Sequence, residues 1–472
     1  MSNNVSEKLP RTAFGELLVA ENTPVIQIAT QYGQLGNTES FVIGIGSTRA
    51  ENALFCANTG ASAASAGALT TRRALSYRAG QGAAAEFTAM YSAGVAGSWQ
   101  RAGLLGVTDT LAFGYEGDSF GITYRLNGVS EVQTLQVTTP AAGGENATVT
   151  VDGVAYVVPL TAGTVEHNAF EIAQSLNDQV SIWSFDSVDD SVVAISVFST
   201  PAGAFAFSSG TAVANWTQNS VGSHGTVNHI PEADWSEYPL DFDVNPDKLT
   251  PFKIQYEYLG GGGIDFWIEN PETADFELAH RLKLAGTLTT PSLRNPTFKV
   301  GWSALNTTNA TDLEICGASA AGFIEGKKIA TTGSRAFSSE TLSVGLTATN
   351  IISVKVRTEF GGIRNLAEIG LAIVGLSTDS GKPVVGELIK NADFGGSLTY
   401  SHINQNESVV LVATDSVAVT GGEVIASAPL GTINLESLGQ TLIPGDTLTI
   451  AMRVTQTPAS AMGANMIWIE DQ

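Results

Sequence analysis

Cysteine and histidine are scarce in this sequence of 472 residues. The two cysteines, Cys56 and Cys316, lie far apart, and the five histidines are scattered singly, so no CxxC pair or Cys/His spacing suits a zinc site. A chain of this length with two cysteines does not depend on a disulfide framework. Cys316 stands in the apolar stretch LEICGAS, which predicts a buried small hydrophobic side chain.

Basic residues are also few. The sequence has 23 Lys and Arg against 46 Asp and Glu, which gives a formal net charge of −23. A negative field of this size repels nucleic-acid phosphates, and the densest basic spots are the dipeptides Arg72-Arg73 and Lys327-Lys328. We therefore expect no nucleic-acid partner, and we interpret the acidity as a solvated surface that keeps the protein soluble.

Long apolar runs are missing. No run approaches the roughly 20 residues that span a bilayer, so we expect no membrane insertion. The N-terminal sequence MSNNVSEKLPRTAFGEL lacks the basic start and the apolar stretch of a secretion signal, which predicts synthesis in the cytoplasm.

Sequence motifs for catalysis are missing as well. There is no GxSxG elbow, and GIGSTR, at residues 44–49, lacks the third glycine and the following helix of a dinucleotide-binding loop. Acidic residues are numerous, but nothing singles out the pair of carboxyl groups that glycoside hydrolysis needs. We expect a protein that is not an enzyme, with glycan degradation as the weaker alternative.

What the sequence does contain is typical of strands. Glycine occurs 50 times, and short Val/Ile/Thr runs lie between turn residues, a profile typical of an all-β protein. In FKIQYEYLGGGGIDFWIENP, residues 252–271, apolar and polar side chains alternate on both sides of the glycine run. A strand follows these glycines where a phosphate loop needs a helix and a Gly-Lys-Ser/Thr ending, so the stretch predicts a β-hairpin.

Other local signals fix further elements. Alternating apolar residues on both sides of residues 116–119 predict a second hairpin, and Asp152-Gly153 predicts a third. Thr164 is the candidate N-cap of a helix that ends near Leu176. The small, weakly polar stretch GASAASAGAL, residues 60–69, predicts a loop.

These elements predict a mainly β chain of antiparallel β-sandwiches with a small inserted α+β module. Residues 14–130 and 226–330 share the same pattern of short strand signals separated by turn residues, and they would form a discontinuous sandwich. A ββαβββ module at residues 131–225 would interrupt this sandwich. Residues 331–472 would form a C-terminal β-sandwich. Residues 1–13 contain too few apolar side chains to fold alone, so we interpret them as an extended arm.

Two acidic stretches are candidate cation sites. DFDVNPDKLTPF, residues 241–252, begins like a calcium loop with Asp241 and Asp243, but Pro246 and Phe252 stand where that loop needs glycine and glutamate. The stretch SFDSVDDS suits a hairpin turn. We expect no cofactor, and structural calcium stays open as an alternative.

An aromatic ring beside acidic groups can hold carbohydrate on a sandwich surface. Trp267 shares a strand face with Asp265 and Glu269 rather than with the apolar Phe266, so this face meets solvent or another protein. We predict these three residues as surface contacts for a glycan. For the other aromatic candidates, core packing is the favoured interpretation: Trp183, Trp235, Tyr256, Tyr258 and Trp302.

Four stretches resemble a widespread family of virion structural proteins from tailed phages and large DNA viruses. They are RTAFGELLVAENTPV, in which Arg11, Phe14, Gly15, Leu18 and Val19 match the family's opening, FKIQYEYLGGGGIDFWIENPETADFELAHRL, TDLEICGASAAGFIEG, and PGDTLTIAMRVTQTPASAMGANMIWIED. The likeness covers most of the chain except residues 131–225, where this sequence departs by insertion.

The resemblance implies a jelly-roll or lectin-like β-sandwich that serves as a fibre, spike or decoration on a capsid or tail. It implies location in the virion, other virion proteins as partners, and a homo-oligomer, with a trimer favoured. A host-surface glycan is a further expected partner, and the alternative function is that of a carbohydrate-binding adhesin for host recognition. The matching motifs are structural, so the resemblance implies no catalytic or metal-binding residue.

Overall fold

The computed structural model describes residues 22–471 except 32, 34–35, 181, 197–203, 224–225, 258, 327–333, 380–382, 430 and 436–439. The predicted arm, residues 1–13, and Tyr258 lie outside the described residues, as do residues 11–21 of the first resembling stretch. The described chain is mainly antiparallel β-sheet, which confirms the predicted fold class.

The strands before the insertion are β1 (Asn22–Ala29), β2 (Thr38–Ile43), β3 (Ser47–Glu51), β4 (Leu54–Asn58), β5 (Ser65–Thr71), β6 (Ala83–Tyr91), β7 (Ser98–Leu105), β8 (Thr110–Glu116) and β9 (Ser119–Leu126). The inserted segment, residues 131–225, contains β10 (Val132–Thr139), β11 (Glu145–Val151), β12 (Val154–Leu160), helix α1 (Val165–Gln179), β13 (Trp183–Val188), β14 (Ser191–Ser196), β15 (Ala206–Ser208) and β16 (Val213–Ser220).

After the insertion come β17 (Thr226–Pro231), a 3₁₀ turn (Glu232–Asp234), β18 (Thr250–Tyr256), β19 (Ile264–Glu269), β20 (Phe276–Leu282), β21 (Lys299–Asn306), β22 (Glu314–Gly317) and β23 (Ser319–Glu325). The C-terminal segment, residues 331–472, contains β24 (Ser334–Ser338), β25 (Leu342–Val344), β26 (Thr349–Val356), β27 (Glu359–Phe360), β28 (Ile363–Arg364), β29 (Glu368–Thr378), β30 (Val384–Phe394), β31 (Ser401–His402), β32 (Val410–Ala413), β33 (Val419–Ala428), β34 (Gly431–Asn434), β35 (Thr441–Leu442), β36 (Thr447–Val454) and β37 (Ser460–Asp471).

Two large sheets pack face to face. The front sheet has the strand order β17-β9-β8-β7-β21-β5-β2, and the back sheet has the order β20-β19-β18-β6-β22-β4-β3, with β23 pairing to β6 and β1 to β23. Their apolar faces share one core, in which the rings of Phe113 from the front sheet and Phe252 from the back sheet lie 4.7 Å apart. Strand β18, for example, contributes every second side chain to this core, Phe252, Ile254 and Tyr256, because successive side chains leave opposite faces of a sheet.

The hairpins predicted at residues 252–271 and around residues 116–119 are both confirmed. In the glycine-rich hairpin, Phe252 of β18 pairs with Ile268 of β19, and both side chains are buried in the shared core. In the second hairpin, Glu116 of β8 lies opposite Ser119 of β9. The sequence therefore placed these turns correctly, since the alternation on each side leaves a single register that buries the apolar set.

The inserted segment has its own apolar core. Its sheets, β13-β14-β10-β16 and β12-β11-β15, share this core with α1, which buries Ala169, Ile172, Ala173 and Leu176. The N-cap prediction is confirmed, because the Thr164 hydroxyl accepts from the His167 N–H. The predicted ββαβββ order is wrong, since three strands precede the helix and four follow it within the described residues. The prediction is one strand short on each side of the helix. After the helix, β16 has mostly exposed side chains, and its pairing to β10 defines it.

The C-terminal segment contains two further sheets around one core. One has β37 and β29 at its centre, and the other has the order β31-β32-β26-β36-β30-β33. The short hairpin β27-β28 forms a separate two-stranded sheet, and it carries Arg364. No helix within the described residues is long and apolar enough to cross a bilayer.

Two local predictions fail. Residues 65–69, predicted as loop, belong to β5, whose seven residues are all buried, because small side chains fit where β5 packs between its neighbours β2 and β21. Cys316 is a buried residue as expected, but it forms a disulfide with Cys56 rather than acting as a small hydrophobic side chain. The two cysteines lie directly opposite each other on β22 and β4, which brings their sulfurs together despite 260 positions of separation.

Candidate functional site

The outer face of the front sheet, turned away from the shared core, is built around small residues. The strand registers place one row across this face, from Phe41 through Ala68, Ser303, Arg101 and Gly114 to Gly121. The next row runs from Glu39 through Thr70, Gly301, Gly103, Ala112 and Thr123 to His229. Glycine, alanine and serine leave room above the sheet, and longer polar side chains surround that room.

Close approach of neighbouring strands explains one of these glycines. A Cβ atom at Gly121 would lie 2.2 Å from the Ile230 carbonyl oxygen and 3.0 Å from Cε1 of His229. No real Cβ tolerates such contacts without movement of the backbone. Glycine at position 121 is therefore required by the geometry of the sheet.

A cavity of about 120 Å³, here the first cavity, lies on this face. Apolar side chains form much of its wall, among them Phe41, Ile43, Trp99, Leu105, Leu305 and Leu366. Four cationic side chains and one carboxylate also line it: Arg101, Arg125, Lys299, Arg364 and Glu39. In a chain of net charge −23, this is a local excess of positive charge.

Arg101 stands at the centre of the outer face and is 8 % exposed. Its guanidinium carbon lies 4.2 Å from the centroid of the Trp99 ring, and its Nη2 donates to Glu116 Oε2 at 2.9 Å. Its Nε is buried and has no hydrogen-bond partner among the described residues. Burial lowers the pKa of Arg101, while the nearby Glu116 carboxylate raises it.

Arg125 lies on β9, near the end of the same face. Its Nη2 donates to the carbonyl oxygens of Gly106 and Val107 at 2.7 and 2.8 Å. Its Nε, like that of Arg101, is buried without a partner in the described part of the chain. Burial lowers the pKa of Arg125 to about 10, and the positive charge of Arg101 contributes to the shift.

Lys299 and Arg364 meet above one carboxylate. The Lys299 ammonium donates to Glu39, and Thr70 Oγ1 donates to the same Glu39 oxygen at 3.4 Å. Arg364, on β28 of the C-terminal segment, places its guanidinium 5.9 Å from the centroid of the Phe41 ring. Its Nη1 is buried without a hydrogen-bond partner among the described residues. Burial lowers the pKa of both cations, and Glu39 raises both.

A second cavity, of about 290 Å³, adjoins the first. Five residues line both: Glu39, Phe41, Lys299, Arg364 and Leu366. The inserted segment contributes Asp186 to the second cavity, where its carboxylate forms an ion pair with Lys355 at 2.8 Å. The two cavities form one cleft, hereafter the cleft, bounded by the front sheet, the inserted segment and the C-terminal segment.

The sequence-predicted contact residues lie elsewhere. Trp267, Asp265 and Glu269 share the outer face of the back sheet, and all three are half-buried. Asp265 accepts two hydrogen bonds from Arg281, at 2.6 and 2.7 Å, and the Trp267 indole N–H is buried without a partner among the described residues. Their role as a glycan contact stays a prediction. The other described aromatic candidates are buried in cores, as the favoured interpretation has it: Trp183, Trp235, Tyr256 and Trp302.

The candidate cation sites differ in their surroundings. Asp241 and Asp243, at the start of the calcium-like stretch, are both exposed. Within the described residues, the group with metal-ligand spacing is Cys56, Glu314 and Cys316, and its two sulfurs are bonded to each other. A disulfide sulfur is not a thiolate ligand, so this group does not suit a metal.

The sequence carried a partial signal for the cleft. In SWQRAGLL, Gln100, Ala102 and Leu104 face inward, so strict alternation places Trp99 and Arg101 together on the other face. The partners from β9, β21 and β28 come from distant parts of the chain, and only the strand order brings them to this face.

Comparison with known proteins finds little similarity. No family model matches the chain, and no curated protein matches it. Among solved structures, the chain is similar to a lectin from Bauhinia forficata in complex with GalNAc, over 65% of this chain and 100% of that chain, at 10% sequence identity and a TM-score of 0.24. At this TM-score the similarity carries no inference about a ligand.

Proposed function

We propose that this protein is a non-enzymatic, carbohydrate-binding component of a virus particle, and that the cleft is its saccharide-binding site. The observation that carries the proposal is the composition of the first cavity, where the Trp99 ring, small residues and buried hydrogen-bond donors converge. Ligand sites are typically concave, mostly apolar, and equipped with a few polar groups that orient the ligand. A pyranose ring, with apolar faces and hydroxyl edges, suits such a lining.

The carboxylates of the cleft support binding of a saccharide rather than its cleavage. Among the described residues that line the first cavity, the carboxylate is that of Glu39, and Lys299 binds it. Glycoside hydrolysis commonly uses two carboxyl groups on opposite sides of the scissile bond. The second cavity adds Asp186, whose carboxylate is held by Lys355 and by the Thr358 N–H and hydroxyl. We therefore propose that the cleft holds its ligand without reaction.

The virion part of the proposal is supported by the sequence resemblance. Three of the four stretches that carry it form β18 to β20, β22 to β23, and β36 to β37, which contribute to the cores of the large sheets and of the C-terminal segment. Partners would be other virion proteins and further copies of this chain. Mass spectrometry of purified particles should detect this polypeptide at a stoichiometry of a structural component, and its absence from them would contradict the assignment.

A glycan array tests the binding function. We expect the purified protein to bind a subset of the glycans and Trp99→Ala to reduce that signal by about tenfold or more. Trp267→Ala is the matched control, because it removes the same side chain from the back sheet. Loss of binding in Trp267→Ala with retention in Trp99→Ala would move the site to the sequence-predicted surface, and a flat array for the native protein would contradict the function.

A further inference from the structure

We infer that the saccharide bound in the cleft carries an anionic group, a carboxylate or a sulfate ester, seated against the guanidinium groups of Arg101, Arg125 and Arg364. This inference rests on the proposed function, and it adds the chemical class of the ligand. The three side chains come from β7, β9 and β28, and all three line the first cavity.

The first argument is the balance of charge. The first cavity is lined by four cations and by one carboxylate, Glu39, which Lys299 already engages. Arg101 forms an ion pair with the Glu116 carboxylate. Arg125 donates to backbone carbonyl oxygens, and the buried Asp109 carboxylate also acts on it electrostatically. Three carboxylates therefore lie near the four cations. Buried charges in proteins are normally paired, so positive charge is left over here for an anion from outside the chain.

The second argument is the set of unsatisfied donors. Arg101 Nε, Arg125 Nε and Arg364 Nη1 are buried, and each has no hydrogen-bond partner among the described residues. Buried donors in native proteins are almost always satisfied, so an orphaned one indicates a missing partner. Three such donors from cations that line one cavity indicate a partner with several acceptor oxygens.

The third argument concerns the chemistry of that partner. A guanidinium group presents a planar fork of donors that matches the oxygens of a carboxylate or a sulfate better than a single hydroxyl. Burial lowers the pKa of all three arginines, which reflects the cost of their charge in a dry environment. A bound anion would offset that cost, and a neutral sugar would not.

A purely structural role would explain the contacts of Arg101 and Arg125, but not the position of Arg364. The bonds from Arg125 to Gly106 and Val107 tie down the turn between β7 and β8, and the Arg101–Glu116 pair links two neighbouring strands. Arg364 reaches the same cavity from another segment, where it contacts the Phe41 ring and interacts electrostatically with Glu39. Arg364 therefore offers the cleanest variant, since its removal breaks no ion pair at hydrogen-bond distance among the described residues.

The test uses an array of matched glycan pairs, in which each sialylated, uronic-acid or sulfated glycan stands beside the same glycan without its anionic group. We expect binding to be confined to the acidic members, and Arg364→Gln to weaken it by about tenfold or more. Arg281→Gln, which removes an exposed guanidinium from the back sheet, should bind as the native protein does. Thermal unfolding of each variant checks that the fold is retained.

The outcomes separate the inference from the proposed function. Equal binding to both members of the pairs, or binding to neutral members alone, would overturn the anionic class and leave carbohydrate binding intact. Unchanged affinity of a folded Arg364→Gln variant for acidic glycans would overturn the proposed position of the anionic group beside these arginines. No binding to any glycan would overturn the proposed function itself. Preference for sulfated over carboxylated members, or the reverse, would identify the anionic group.

Discussion

Arg73, just beyond the end of β5, and Glu368 join the front sheet to the C-terminal segment through two hydrogen bonds. Arg73 Nε donates to one carboxylate oxygen of Glu368 at 2.9 Å, and Nη2 donates to the other at 2.6 Å. Glu368 is almost fully buried, and it lies four positions beyond Arg364 in the sequence. This paired contact, together with the Arg72–Asp446 ion pair at 2.8 Å, holds the C-terminal segment where Arg364 lines the cleft.

Loss of the Arg73 guanidinium should loosen this junction. Arg73→Ala leaves the buried Glu368 carboxylate without its bidentate partner, and because the Arg73 side chain is 42% exposed we expect a loss of about 1–2 kcal/mol in the free energy of unfolding. Affinity for the ligand should fall as well, since Arg364 depends on the same junction. Urea unfolding and the glycan array measure the two effects.

The matched variant for this pair is Arg281→Ala, which breaks the exposed bidentate contact with Asp265. We expect a change of about 0–1 kcal/mol, because solvent replaces the lost hydrogen bonds. Glu368→Gln in the Arg73→Ala background should recover part of the loss, since it removes the uncompensated charge. An Arg73→Ala variant as stable as the native protein, with unchanged binding, would contradict the role assigned to this contact.

The disulfide between Cys56 and Cys316 should stabilise the back sheet. It closes a loop of 260 positions, so its removal enlarges the unfolded ensemble, and we expect the double variant Cys56→Ala/Cys316→Ala to lose about 2–5 kcal/mol. Urea unfolding with and without a reductant measures this. Reductant should lower the stability of the native protein and leave the variant unchanged, and equal stability of all samples would show that the bond contributes nothing.

Binding should depend on pH in the alkaline range. Burial lowers the pKa of Arg125 to about 10, well below the pKa of a free guanidinium, so above about pH 10 the cleft loses a positive charge and anion affinity falls. Between these two values the unfolded chain binds a proton that the folded chain has released, so this group makes stability rise with pH there. Burial also lowers the pKa of His229 below 6.5, which keeps it neutral near pH 7.

Calorimetric titrations with an acidic glycan from the array would measure this profile. We expect constant affinity from about pH 6.5 to 8 and a decline as pH approaches and passes about 10, where Arg125 loses its proton. A neutral glycan bound with the same profile would indicate that the decline comes from the fold rather than from the cations.

Space in the first cavity can be removed without a change of charge. Ser303 lines the cavity and lies opposite Arg101, so Ser303→Phe should fill the room above the small residues and prevent binding. We expect a cost of about 1–3 kcal/mol from overpacking, which the fold should tolerate. Ser303→Ala is the control and should bind normally. Full binding by a folded Ser303→Phe variant would place the ligand elsewhere.

Local sequence patterns were sufficient for much of the fold. Alternation around Glu116 and Ser119 and around the glycine run gave the correct hairpins, because each pattern has a single register that buries its apolar side chains. The prediction of a loop at residues 65–69 is wrong. The small residues there show no alternation of apolar and polar side chains, so no strand is predicted from them. They form a buried strand because β2 and β21 pack on both sides of it, which no local pattern reports.

Local sequence patterns do not predict the cleft, for a similar reason. Arg101 and Lys299 lie 198 positions apart in the chain, and Arg364 follows Lys299 by 65 positions. A strand order that places β7 beside β21 brings the first two together. The sequence favours Trp267 as a surface contact because it alternates with buried apolar residues along its strand. Trp99 also alternates with buried residues along its own strand. Only the neighbours distinguish them, because Trp99 lies beside Arg101 and lines the first cavity.

A crystal structure of the protein with a bound acidic oligosaccharide tests the central claim most directly. The account predicts the anionic group in the first cavity, with its oxygens about 2.7–3.0 Å from Arg101 Nε, Arg125 Nε or Arg364 Nη1, and a sugar ring against Trp99. An oligosaccharide bound on the back sheet beside Trp267, or one whose anionic group faces solvent, would contradict it.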